Sequence, residues 1–234
     1  MKIKSLFISR AVMLSVALLM TSTLVAQKSQ YANYARYAKA NAELGSPQKS
    51  EKRVVFMGNS ITDGWVPTHP DFFKNGFIGR GISGQTSDQF LLRFRQDVIN
   101  LKPKVVVINY GTNDIAENNG PYNEDVTFGN VVSMVELAKA NKIKVVLASC
   151  LPAGEFPWRK SITDALGKIK HLNARVKAYA EANKIPYADY FSSLLSADGT
   201  RQNPDYTRDG VHPNGQGYTI MENVVTPIVN KLRK

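Results

Sequence analysis

The chain has 234 residues, 43% of them hydrophobic, with 30 Lys and Arg against 19 Asp and Glu for a formal charge of +11. Its length suits one domain with a sizeable core, and its single cysteine, Cys150, excludes an intrachain disulfide framework. The lysines are scattered, with no arginine-rich run or aromatic RNA-binding signature, which argues for a solvated basic surface and against a nucleic-acid partner.

Residues 1–26 follow the order of a secretory signal peptide: Lys2, Lys4 and Arg10, then an apolar run over 11–20, then a small-residue exit to Ala26. The run is too short to span a membrane, and no cysteine follows it to carry a lipid. Cleavage after Ala26 removes three cations and leaves 208 residues at +8. The expectation is an exported protein, periplasmic or extracellular, with no stable membrane span after processing; an uncleaved anchor is the alternative. Residues 27–52 then form an N-terminal helix and lead-in, and 53–234 the domain proper.

Tyr31, Tyr34, Ala35, Ala38 and Ala42 recur near helical spacing, and Gly45-Ser46-Pro47 stops that helix. Val54-Val55-Phe56-Met57 suits a strand buried on both faces, after which Gly58 allows a sharp turn before Ser60. A serine at a strand's carboxyl end faces ligand in open parallel sheets. Taken alone, it reads first as a helix cap. A second strand is predicted over 77–82 and a helix over 87–99. Val105-Val106-Val107-Ile108 is the clearest buried strand, followed by a helix over 125–140. The fourth strand, over 145–148, leads to Cys150, which reads as a buried thiol. A longer helix follows, with Ile162, Leu166, Ile169, Leu172, Val176 and Tyr179 at three-and-four spacing. A short strand over 185–189 and a closing helix marked by Tyr218, Met221, Val225, Ile228 and Leu232 complete the chain. Strands alternating with helices imply a parallel sheet covered on both faces, a three-layer α/β/α sandwich.

Asp209-Gly210-Val211-His212-Pro213 places an acid three residues before a histidine, so that Asp209 can hold His212 in one tautomer as a general base. In isolation the pair also reads as a structural hydrogen bond or half of a metal site. His69 and His171 lack neighbouring ligand patterns, so no metal is expected. Acyl transfer needs donors aimed at the developing oxyanion, and three candidates follow successive strands: the N–H groups of Ser60 and Gly84 and the side-chain amide of Asn113. A turn glycine and a loop-capping asparagine are the plain alternatives.

Together, Gly58-Asn59-Ser60-Ile61, Gly81-Ile82-Ser83-Gly84-Gln85-Thr86, Gly111-Thr112-Asn113-Asp114 and Asp209-Gly210-Val211-His212-Pro213 resemble the four blocks of the SGNH hydrolase family, also called GDSL lipases/acylhydrolases. The blocks fall in family order and look most like the small acetylhydrolase branch. The resemblance implies a flavodoxin-like sheet of order 2-1-3-4-5, Ser60 as nucleophile, His212 as base and acid, Asp209 as orienter, and Ser60, Gly84 and Asn113 as oxyanion hole. Asn59 departs from the family's aspartate, which bears on the subfamily, not on proton transfer.

The expected activity is hydrolysis of short-chain esters, acetyl first, on a small molecule or glycan, with no metal or organic cofactor. Trp65, Tyr122, Phe156 and Trp158 are candidate substrate contacts; Trp65 and Trp158 also read as packing residues. Short-chain lipid esters are the second choice. A non-catalytic carbohydrate-binding module is a rival from another class, but binding alone needs no nucleophile and base together. A flavin or nucleotide binder fits the sheet but lacks a G-x-G-x-x-G fingerprint after the first strand.

Overall fold

Residues 30–74 and 76–234 are described by a computed structural model; the export segment expected over 1–26 lies outside them. Helix α1 (Ala35–Leu44) precedes β1 (Val54–Gly58), α2 (Ser60–Thr68), β2 (Phe77–Gly81), α3 (Ser87–Asp97) and β3 (Val105–Asn109). There follow α4 (Thr112–Ile115), α5 (Glu124–Ala140), β4 (Lys144–Ala148), α6 (Ala165–Ala182), β5 (Tyr187–Ala188), α7 (Tyr190–Leu194) and α8 (Gly215–Leu232). The strands pair in the order β2-β1-β3-β4-β5, every pair parallel. This is the expected order, and it brings the ends of β1, β2 and β3 side by side.

Each central strand feeds two cores, because successive side chains point to opposite faces. Val55, Met57, Val106, Ile108, Val145 and Leu147 pack against α3, α5 and α6 through residues such as Phe90, Phe94, Val135, Ile169 and Val176. Val54, Phe56, Val105, Val107, Val146 and Ala148 pack against α2, α7 and α8 through Ile61, Trp65, Leu194, Met221 and Val225. All five residues of β1 and of β3 are buried, which is why both read as unbroken apolar runs.

Several boundaries differ from expectation. The first helix is interrupted at Asn33, whose φ of 51° is left-handed. The helix expected to hold Ile162 starts at Ala165, where Asp164 accepts from Gly167 N at 3.1 Å; Ile162 is buried in the loop before it. Strand β5 keeps only two residues, and the short helices α4 and α7 carry too few turns to show a helical period.

A buried cation ties these layers together. Arg93, fully buried on α3, donates to Gly58 O and Arg80 O, each at 2.9 Å, to Gln85 Oε1 at 2.6 Å and to Asp97 Oδ2 at 3.0 Å. It therefore joins the carboxyl ends of β1 and β2 to the segment after β2. Burial pulls the guanidinium below its ordinary pKa, and Asp97 opposes that pull. Removing one member of a buried pair strands the other charge, so Arg93→Met should lower stability by about 3–5 kcal/mol. Urea unfolding checks this; a variant with the wild-type midpoint would show that the cation does not hold the sheet ends.

Candidate active site

The side chain of the first residue of α2 is not used as the helix cap, because its neighbour does the capping. Asn59 Oδ1 accepts from Ile61 N at 3.0 Å, so Ser60 is not the cap that an isolated serine would suggest. Ser60 Oγ instead lies 2.9 Å from His212 Nε2. Gly58 is needed for close approach, not for a left-handed turn: a Cβ there would stand 2.2 Å from Thr62 Oγ1. The amide nitrogen of Asn59 is buried without a partner among the described residues.

Asp209 and His212 sit on one tight hairpin. Thr207 and Pro213 form an antiparallel bridge, Arg208 N donates to His212 O at 2.9 Å, and Gly210 turns the chain with a φ of 86°. Asp209 Oδ2 lies 2.7 Å from His212 Nδ1, while Oδ1 accepts from Val211 N at 3.0 Å and His212 N at 2.8 Å. Burial pushes the Asp209 carboxyl up, but the bonds from His212 and Val211 and the nearby imidazole together hold it below the ordinary carboxylate range. An ionised Asp209 accepts from Nδ1–H and leaves Nε2 as the acceptor for the Ser60 hydroxyl.

The three oxyanion candidates stand in different states. As the first residue of α2, Ser60 lies where a backbone N–H has no intrahelical acceptor. Gly84 has a φ of 80°, open space where a Cβ would be, and an N–H that no described residue accepts. Asn113 is buried, and Nδ2 donates to Gln85 O at 2.9 Å; its second N–H has no described protein partner. Next to it, Asp114 accepts from Ser87 N at 3.0 Å and Ser87 Oγ at 2.5 Å, holding the start of α3 to the end of β3. Burial raises the Asp114 carboxyl despite those bonds.

A cleft of about 560 Å³ opens beside the serine, lined by Ser60, Asp63, Gly64, Pro67, Ser83, Arg208, Asp209 and His212. Of the four candidate aromatic contacts, only Trp158 stands beside the histidine in the open: it is 42% exposed, with its ring centroid 5.8 Å from that of His212. Its indole N–H donates to Asn118 Oδ1 at 3.0 Å. Trp65 is not a substrate contact, because it is buried between Phe72 and Tyr218 in stacked contacts of 5.0 and 5.5 Å, its N–H on Glu222. Phe156 is fully buried and only supports Trp158 from behind, at 5.5 Å. Tyr122 is half-buried with its hydroxyl out of solvent, and burial raises its pKa.

The remaining chemistry-bearing residues are accounted for by packing. Cys150 is buried, and burial pushes its thiol up to about 12, far from a thiolate nucleophile. His69 pairs with Glu222 at 2.7 Å and His171 with Glu124 at 2.6 Å. Among the described residues no group of three or more His, Cys, Asp or Glu converges on a metal position. Sequence reasoning missed Asp63, Ser83, Asn118 and Arg208. For Asp63 and Gly64 the signal was available: three, four and seven residues from Ser60, positions 63, 64 and 67 share its helix face.

The chain is similar in sequence and fold to several known proteins. A GDSL-like lipase from Bacteroides thetaiotaomicron is 66% identical, with 86% of this chain and 98% of that chain covered and a TM-score of 0.84. A protein from Bacteroides fragilis is 65% identical over 87% of this chain and 99% of its own, with a TM-score of 0.86. The platelet-activating factor acetylhydrolase IB subunit alpha2 of Gallus gallus is 26% identical over 191 residues, 76% of each chain. The chain spans only 32% and 40% of the length of two further curated relatives. The model of the GDSL-like Lipase/Acylhydrolase family matches residues 56–220, and the chain belongs to that family.

Proposed function

We propose that the protein is an exported serine esterase that removes short acyl groups, acetyl foremost, from carbohydrate. The observation that carries the reading is the hydrogen-bonded series Ser60 Oγ, His212, Asp209 at the carboxyl edge of the sheet. His212 Nε2 takes the hydroxyl proton as Ser60 Oγ bonds to the acyl carbon, and the oxyanion meets the donors of Ser60, Gly84 and Asn113. The ester C–O bond then breaks, and His212 returns the proton to the leaving alcohol. Water repeats the sequence against the acyl-enzyme, releasing the acid and restoring Ser60. Asp209 stays ionised throughout and balances the imidazolium.

The cleft supports a polar alcohol. Five of its eight lining residues carry charged or hydroxyl side chains, and the exposed Trp158 ring beside His212 offers a flat apolar surface near polar partners, as a sugar ring requires. Similarity to the platelet-activating factor acetylhydrolase subunit favours a second reading, short-chain lipid esters. Export rests on the pattern of residues 1–26; no helix of the described residues is long and apolar enough to cross a membrane.

A panel of acetylated sugars, acetylated lipid analogues and p-nitrophenyl esters of increasing chain length separates these readings. Acetyl sugars should give the highest kcat/KM, and Trp158→Ala should raise KM for them roughly two- to tenfold while sparing p-nitrophenyl acetate, as loss of a stacking contact worth about 0.5–1.5 kcal/mol implies. An equal effect on both substrates, or preference for the lipid esters, would overturn the carbohydrate reading.

The pH dependence of stability tests the role of Asp209. Asp209→Asn should lower kcat by roughly 10²- to 10⁴-fold. Because the folded carboxyl lies below its unfolded value of about 3.9, its stabilising contribution is present above that value and lost as pH falls through the folded one. The melting-temperature gap between wild type and Asp209→Asn should therefore be full at neutral pH and close below about pH 4. A gap that widens on acidification would contradict the assignment.

A further inference from the structure

Asp63 lies in the cleft yet its carboxylate is turned to the protein. Oδ2 accepts from Ser83 Oγ at 2.7 Å and from Ser83 N at 3.3 Å, while Oδ1 accepts from Arg36 Nη2 of α1 at 3.2 Å. Ser83 immediately precedes Gly84, and Asp63 stands one helical turn after Ser60. The two segments also touch directly: a Cβ on Gly81 would stand 2.2 Å from Asp63 N and 2.6 Å from Asn59 O. Helix α1 closes the arrangement from outside, where the Tyr37 hydroxyl donates to Gly81 O.

We propose that Asp63 is a positioning residue for the oxyanion hole, fixing the Ser83-Gly84 backbone to the helix that carries Ser60, and that Arg36 makes helix α1 part of this fixture. The inference rests on the reading of Ser60 as nucleophile and Gly84 as oxyanion donor. Gly84 itself is poorly restrained: its conformation is left-handed, it is exposed, and its carbonyl accepts only a 3.4 Å bond from Asn118. Ser83 is the neighbouring residue that holds a short bond to the nucleophile helix. An N–H that stabilises charge only in the transition state must be placed within a fraction of an ångström, and a shift of about 1 Å can cost on the order of 10²-fold in rate.

The test compares p-nitrophenyl acetate turnover, fluorophosphonate labelling and melting temperature for wild type, Asp63→Ala, Asp63→Asn, Ser83→Ala and Arg36→Gln. Asp63→Ala should lower kcat roughly 10- to 100-fold with KM within about twofold. Asp63→Asn, which retains an acceptor for Ser83, should recover part of that loss. Ser83→Ala keeps the backbone bond and should fall about three- to tenfold, and Arg36→Gln less. A folded Asp63→Ala with wild-type kcat, or one whose loss lies entirely in KM, would overturn the proposal. Should Asp63→Ala not fold, Asp63→Asn and Ser83→Ala decide by the same split of kcat from KM. Wild type that neither labels nor turns over would overturn the Ser60 reading together with this one; labelled, active wild type beside an unaffected Asp63→Ala overturns this one alone.

Discussion

Three strand ends carry the proposed chemistry, and the guanidinium of Arg93 is what joins two of them. It accepts no substitute of lower donor count, because Gly58 O, Arg80 O, Gln85 and Asp97 each take a hydrogen bond from it in a place closed to water. With Gly58 and Gln85 tied to one cation, Ser60 is set two residues beyond the first anchor, and Gly84 one residue before the second. Asn113 joins the same assembly through Gln85 O, and Asp114 through Ser87. The residues beside the candidate oxyanion donors thus share one buried polar network, and Gly84 is held through its neighbours.

That arrangement explains a division of labour along α2. Ile61 and Trp65 point into the core shared with α8, while Ser60, Asp63, Gly64 and Pro67 border the cleft. Asn59 caps the helix, so that the hydroxyl one residue later is left for His212. His212 approaches from a hairpin whose own backbone bonds, between residues 207 and 213, do not depend on α2. Ser60 and His212, the proposed nucleophile and base, therefore meet as parts of two separately fixed units, 152 positions apart in sequence.

The sheet was legible because strands buried on both faces read as apolar runs, and three of the four motif blocks lay at their ends, the fourth falling on the hairpin before α8. What stayed hidden needed the helical phase or a long-range contact. Arg93 and Asp97 are an i,i+4 pair on the buried face with Phe90 and Phe94, a charge pair easily taken for a solvated one. Trp65 read both as a candidate substrate contact and as a packing residue, and five residues after Ser60 on α2 it faces the core and not the cleft. The restraint of Trp158 by Asn118 crosses 40 positions and has no local signature. The short β5 and α7 were missed or overextended for want of a full period.

The account turns on a covalent intermediate at Ser60. Wild-type protein mixed with p-nitrophenyl acetate, quenched in acid during the first turnover and digested, should yield the Ser60 peptide carrying one acetyl group. That adduct should form at the rate of the p-nitrophenol burst, with His212→Ala forming it far more slowly. Hydrolysis with no acetyl on Ser60, or with the acetyl on another residue, would contradict the account.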